Sequence, residues 1–238
     1  MDDSDRTAIA LVQTIRTGDT AALSQLLQEH PGLAAEQVHG TRTPLHVAAD
    51  WPGYFPNGPE VVRALLEAGA DPDGGVPRES PDETPLHWAA SSDDSDVAEA
   101  LIDGGADIER PGGSIGTPLQ NAVGYGCWNV ARLLVQRGAQ VRTLCEAAAL
   151  GMMTRVEDLL AGTPGPGPED ITEAFWQACH GGQRRTAERL ATAGADINAT
   201  PGYSNQTPID VAASPDTRRG NLVDWLRSLG AEPAKKAN

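Results

Sequence analysis

His46 and Asp50 stand four residues apart, a spacing that puts both side chains on one face of a helix, and Trp51 follows directly. An imidazole and a carboxylate beside an indole are the parts of an acid–base pair. A tryptophan wall that desolvates Asp50 would make it a general base or acid. His87 recurs in the same local phrase as His46, and His180 closes a later apolar run. Asp50, His46, His87 and His180 are therefore the candidates for catalysis; for His180 the plain alternative is a solvated surface histidine. There is no glycine-rich loop with lysine, no His/Cys cluster at metal spacing and no nucleophile elbow. Any chemistry would be free of cofactor and metal, such as a dehydration, isomerisation or cyclisation of an apolar substrate. The run Ser92-Asp-Asp-Ser-Asp96 suggests a cation, but a helix start favours aspartate without one.

The 238 residues include only ten aromatics: five Trp, three Tyr and two Phe. Trp51, Tyr54, Phe55, Trp88 and Tyr125 cluster in the first half, with Trp176 and Tyr203 as further members of the set. With Ser91, Ser92 and Asn121 they form the candidate ligand-binding residues. Three readings stay open. The rings pack on one another as local core; or they line a pocket for an apolar ligand, with residues 51–59 as its lid; or they form the hot spot of a protein partner. Phe175 fits a core position, Trp128 a place between packed helices, and Trp225 the last outer helix.

These side chains need a scaffold, and the sequence repeats one. Thr43-Pro-Leu-His-Val-Ala-Ala49 returns as Thr84-Pro-Leu-His-Trp-Ala-Ala90 and Thr207-Pro-Ile-Asp-Val-Ala-Ala213, and more loosely as Thr117-Pro-Leu-Gln-Asn-Ala-Val123. A second phrase alternates with it: Leu65-Leu-Glu-Ala-Gly-Ala-Asp71, Leu101-Ile-Asp-Gly-Gly-Ala-Asp107 and Leu190-Ala-Thr-Ala-Gly-Ala-Asp196. Proline suits the first helical turn, the preceding threonine caps it, and the later glycine supplies a left-handed stop. Paired alanines keep a helix flank thin enough for a neighbour. The two phrases resemble the ankyrin repeat, whose signature is T-P-L-H-x-A at a period of about 33 residues. The resemblance implies an all-α solenoid of about seven helix-turn-helix units, with inner helices and β-turn fingers forming a concave binding wall. It also implies that His46 and His87 bond backbone near their own turns rather than act on a substrate.

The units begin near Ile9, Thr43, Thr84, Thr117, Arg142, Glu173 and Thr207, at steps of 34, 41, 33, 25, 31 and 34. The expected spans are 5–34, 35–71, 82–107, 115–140, 141–163, 169–198 and 205–230, read as one domain over 1–230 with a disordered tail at 231–238. The long step comes from the insertion at 51–59 and a lengthened connector at 72–83. The short step leaves 138–142 without a finger, so some fingers are shortened or missing. The two residues after each alanine pair should face the wall: Asp50-Trp51, Ser91-Ser92, Gly124-Tyr125, Ala149-Leu150, His180-Gly181 and Ser214-Pro215. The residue before each pair, read as Val47, Trp88, Asn121, Glu146, Gln177 and Val211, is of mixed polarity and should be partly exposed.

The net charge of −15 argues against nucleic acid and anionic membrane as partners. The chain has no apolar run long enough to span a bilayer, and Met-Asp-Asp-Ser-Asp is not a signal peptide. Cys127, Cys145 and Cys179 form no close pair, which fits reduced, buried thiols in a cytoplasm. Only Lys235 and Lys236 among the 18 basic residues are lysines, a bias typical of GC-rich bacterial genes. The expectation is a monomeric, cytoplasmic, free-standing binding module that takes a protein or an apolar small molecule on its aromatic wall. The alternatives are the cofactor-free enzyme of secondary metabolism and an acidic inhibitor or immunity-type protein masking a basic partner.

Overall fold

A computed structural model describes residues 6–38, 42–75, 82–214 and 220–234. Half of the expected connector (76–81), Pro215 and the tail 235–238 lie outside the described residues. The chain divides into two compact units, Met1–Gln140 and Val141–Asn238. The division falls in residues 138–142, where the sequence is too short for a finger.

Among the described residues the first unit holds four helix pairs: α1 (Arg6–Thr17) with α2 (Thr20–Glu29), α3 (Pro44–Ala49) with α4 (Gly58–Glu67), α5 (Pro85–Ser91) with α6 (Ser95–Asp103), and α7 (Pro118–Tyr125) with α8 (Trp128–Gln136). The first helices pack in succession, α1 on α3, α3 on α5 and α5 on α7; the second helices stack likewise from α2 to α8. Each pair leans only on its neighbours, as a repeat architecture requires. The described residues of the second unit hold three pairs: α9 (Leu144–Ala149) with α10 (Met153–Leu160), α11 (Pro168–His180) with α12 (Arg184–Thr192), and α13 (Pro208–Ala212) with α14 (Gly220–Ser228). Among the described residues there are no strands, and isolated bridges at Val38–Arg42 and Gly112–Gly116 mark two fingers. None of these helices is long and apolar enough to cross a membrane.

The repeated leucine fills the core. Leu45, Leu86 and Leu119 are fully buried one repeat apart, with Leu65, Leu101 and Leu134 answering from the second helices; Phe175 takes the same place in the second unit. The glycine stops at 69, 105, 138, 194 and 230 all have positive φ.

One side chain per repeat closes the start of the first helix. The Thr43 and Thr84 N–H groups donate to Nδ1 of His46 and His87, at 3.3 and 3.1 Å. Thr117 N–H donates to Gln120 Oε1, Thr143 N–H to Glu146 Oε2 and Thr207 N–H to Asp210 Oδ2. This row corrects the expected alignment of the fifth unit by one residue. The unit starts at Thr143, not Arg142, and Glu146 is a buried cap that occupies the histidine position. It also explains α11, which starts at Pro168, one residue before the expected span of 169–198 and ahead of Glu173, where the repeat phrase aligns. Asp170 Oδ2 accepts the Gly167 N–H at 2.8 Å, and Pro168 sits where a missing N–H costs nothing.

Residues 231–234, expected to belong to a disordered tail, are hydrogen-bonded. Ala231 N–H bonds the Leu226 carbonyl, Glu232 N–H bonds Asn198 Oδ1 and Ala234 N–H bonds Asp210 Oδ2. These contacts hold residues 231–234 against the unit.

Candidate functional site

In the first unit, α5, α7 and residues flanking α3 and α5 line an open cavity of about 410 Å³. Asp50, Trp51, Glu83, Trp88, Ser91, Ser92 and Tyr125 line it. Its rim is aromatic: Trp51 is 77% and Tyr125 62% exposed. Trp88 is half-buried between them, its ring edge-on to His46 at 4.9 Å and covered by the Arg42 guanidinium at 4.9 Å.

The polar floor comes from several repeats. Asn121 is fully buried and reaches across α5; its Nδ2 donates to Glu83 Oε1 and Ser91 Oγ at 3.2 and 3.3 Å. Its Oδ1 is buried and accepts no hydrogen bond among the described residues. Ser91 Oγ donates to the His87 carbonyl and Ser92 Oγ to the Ala49 carbonyl, at 3.0 and 3.2 Å. Both serines thus anchor backbone while facing the cavity.

The candidate acid–base residues do not assemble a catalytic pair. Asp50 Oδ2 accepts from both Arg16 and Arg42, at 3.1 and 3.0 Å, and Oδ1 accepts the Trp51 N–H. Its carboxylate is clasped by two guanidiniums rather than desolvated by tryptophan. Since the Thr43 amide can only donate, His46 Nδ1 is the acceptor, and Nε2–H donates to the Glu83 carbonyl at 3.1 Å. His87 repeats this arrangement with the Gly116 carbonyl at 2.9 Å. With both nitrogens of each ring engaged, the two histidines stitch one repeat to the next. Burial pushes the His46 pKa down to about 4 and lowers that of His87.

The insertion at 51–59 does not close over the cavity. Asn57 Nδ2 donates to the Gly18 carbonyl at 2.9 Å; Tyr54 donates its N–H to Asp94 and its hydroxyl to the Asp93 carbonyl. Those bonds wedge the segment between two inter-helix turns, so Tyr54 and the half-buried Phe55 lie off the cavity. Asp93 and Asp94, directly after Ser92, are spent as caps. Asp93 accepts the Asn129 and Val130 N–H groups at the start of α8, and Asp94 accepts the Val97 N–H at the start of α6.

The row expected to be partly exposed is mostly buried, Trp88 excepted. Val47, Asn121, Gln177 and Val211 all face inward, because paired alanines bring the next first helix close. Trp176, Tyr203 and His180 belong to the second unit. Trp176 is only 5% exposed, and its indole N–H donates to the Gln206 carbonyl at 2.8 Å, the same stitch that His46 and His87 make. His180 lays its ring against Trp176 at 5.1 Å, and burial lowers its pKa. Cys127, Cys145 and Cys179 are free; desolvation raises the first two to about 11 and about 12 and the third further. The site residues not expected from sequence are Arg16, Arg42 and Glu83. The last two precede the Thr-Pro phrase by one residue, a position whose opposite charges were a readable signal.

Comparison with known proteins matches residues 57–143 to the family described as ankyrin repeats in three copies. The chain is 29% identical over 146 residues to an ankyrin repeat and KH domain-containing protein of Caenorhabditis briggsae, covering 59% of this chain and 6% of that one. It is 41% identical over 76 residues to the fem-1 homolog A protein of Bos taurus, covering 28% of this chain and 11% of the relative. The chain thus spans about a tenth or less of these relatives' length. A solved structure, the human ASB11 ankyrin repeat domain, shares the fold at a TM-score of 0.53 and 18% identity over 91% of this chain and 96% of that one.

Proposed function

We propose that this chain, whose residues 57–143 match ankyrin repeats, is a protein-binding module which holds its partner on the aromatic face of the first unit. One observation carries the reading: Trp51 and Tyr125 stand exposed on either side of a cavity whose floor is polar and already hydrogen-bonded. Exposed rings beside a concavity are what a partner's apolar side chain displaces water from, and Trp and Tyr dominate such contacts. The cavity is open, which suits a side chain on a partner's surface. Serine hydroxyls and the Glu83 carboxylate at its floor suit N–H donors next to that side chain.

A photo-crosslinking amino acid placed at 51 or 125, in cells that carry the protein natively, should trap one partner; the same group at Arg132 on the outer helix α8 should not. Trp51→Ala with Tyr125→Ala should abolish that adduct with an unchanged melting temperature, because both side chains are exposed. Equal trapping from Arg132, or an adduct indifferent to the double substitution, would place the interface elsewhere.

A further inference from the structure

The second unit contains a cavity of its own, about 530 Å³, between the extended N-terminal half of α11 and the segment 196–203. Its walls are unlike those of the first. Trp176 and Tyr203 meet edge to face at 5.9 Å and form an aromatic corner. Glu169, Glu173 and Asp196 supply carboxylates around it. Spacing explains the set: Glu169, Glu173 and Trp176 fall at i, i+4 and i+7 on one face of α11. The cavity exists because α11 starts early at Pro168; a helix beginning at Glu173 would have no Glu169 or Thr172 to face the loop.

Both ends are tied. Asp196 N–H donates to Thr172 Oγ1 at 3.1 Å. At the other end Gln177, a buried side chain whose Oε1 has no partner among the described residues, donates from Nε2 to the Tyr203 hydroxyl at 3.1 Å. That hydroxyl is left to donate to Glu173. The aromatic corner is therefore fixed before anything binds.

Their shared cavity with two aromatic side chains separates these carboxylates from the rest of an acidic surface. Some acids elsewhere are matched, Asp50 with Arg16 and Arg42, Glu99 and Asp103 with Arg137, Glu157 with Arg189, Glu188 with Arg184, while others, such as Glu67 and Asp158, have no ion-pair partner among the described residues. Among the described residues, Glu169, Glu173 and Asp196 have no ion-pair partner. Three carboxylates beside two aromatic rings in one cavity are the chemistry that recognises a cationic side chain.

We propose that this cavity binds the basic side chain, arginine or lysine, of a protein segment. The guanidinium or ammonium group lies against Trp176 and Tyr203 and bonds Glu173, with Asp196 and Glu169 at the mouth. This site is distinct from the first-unit face and stands or falls separately from it.

The test is an NMR titration of the full ¹⁵N-labelled chain at physiological ionic strength. The probe is an acetylated, amidated tri-arginine peptide, beside its tri-citrulline counterpart and N-acetylarginine amide. The arginine peptide should shift amides of 169–176 and 196–203, and the citrulline peptide should not. Glu173→Gln, which preserves shape and the Tyr203 hydrogen bond, should weaken binding roughly tenfold. Tyr203→Ala, at a largely exposed position, should weaken it comparably. Glu67→Gln, an equal charge loss on α4 in the first unit, should leave it unchanged. Equal weakening by Glu67→Gln, binding of citrulline, or shifts spread over the acidic surface would overturn the site. Binding of N-acetylarginine amide as tight as that of the peptide would overturn the assignment to a protein segment.

Discussion

At the scale of single residues, the histidines that look most like catalysts are structural, and this makes the fold sensitive to acid. The folded chain keeps His46 neutral: Nδ1 must accept from Thr43, and burial penalises the cation. Above about pH 6.5 folded and unfolded chains both hold a neutral ring. Between there and about pH 4 only the unfolded chain takes up the proton, so stability falls as pH falls, by up to about 3 kcal/mol for His46. His87 adds a loss of the same sign. Urea unfolding from pH 7 to pH 5 should show the decline. His46→Gln should flatten it, since Gln120 already caps the next repeat without a titrating group. A wild-type midpoint that stays level over this range would contradict the neutral assignment.

At the scale of elements, the insertion at 51–59 shows how a loop becomes framework. Gly18 faces it, at φ +66, so close that a Cβ there would lie 1.9 Å from the Pro56 carbonyl oxygen. Gly69 also has a positive φ, +95, but open space around it. Gly69→Ala should cost about 1 kcal/mol, the backbone term alone. Gly18→Ala should cost at least twice that in urea unfolding, because the insertion must shift; equal losses would show that the contact yields freely. The helices, their glycine stops and the repeated leucine core were legible in the sequence because they depend on local pattern. The insertion's direction was not, since Asn57 and Tyr54 are anchored by turns 39 to 40 residues away. The start of α11 had a local signal in Gly167-Pro168-Glu-Asp170, and the expected span began one residue after Pro168. For the candidate site, sequence located the aromatics; it could not foresee Arg16 reaching Asp50 from a different repeat.

At the scale of the whole molecule, charge sets the behaviour. With 33 acidic against 18 basic residues, self-repulsion opposes the compact state, and the exposed ion pairs offset little of it at about 0–1 kcal/mol each. Added salt screens both terms, but the repulsion is the larger. The melting temperature should therefore rise by a few degrees between low and high sodium chloride. A fall would mean that pairs such as Arg189–Glu157 outweigh the net charge.

The row of capping side chains bears on how such chains are aligned. The backbone asks one thing at that position: a group that accepts from an amide three residues earlier. His46, Gln120, Glu146, Asp170 and Asp210 all answer, in four different letters. A template spelled in residue names fades where the letters change, and the match to this chain ends at 143. One spelled in hydrogen-bond roles would continue through Thr143, Gly167 and Thr207 and count every repeat of the second unit.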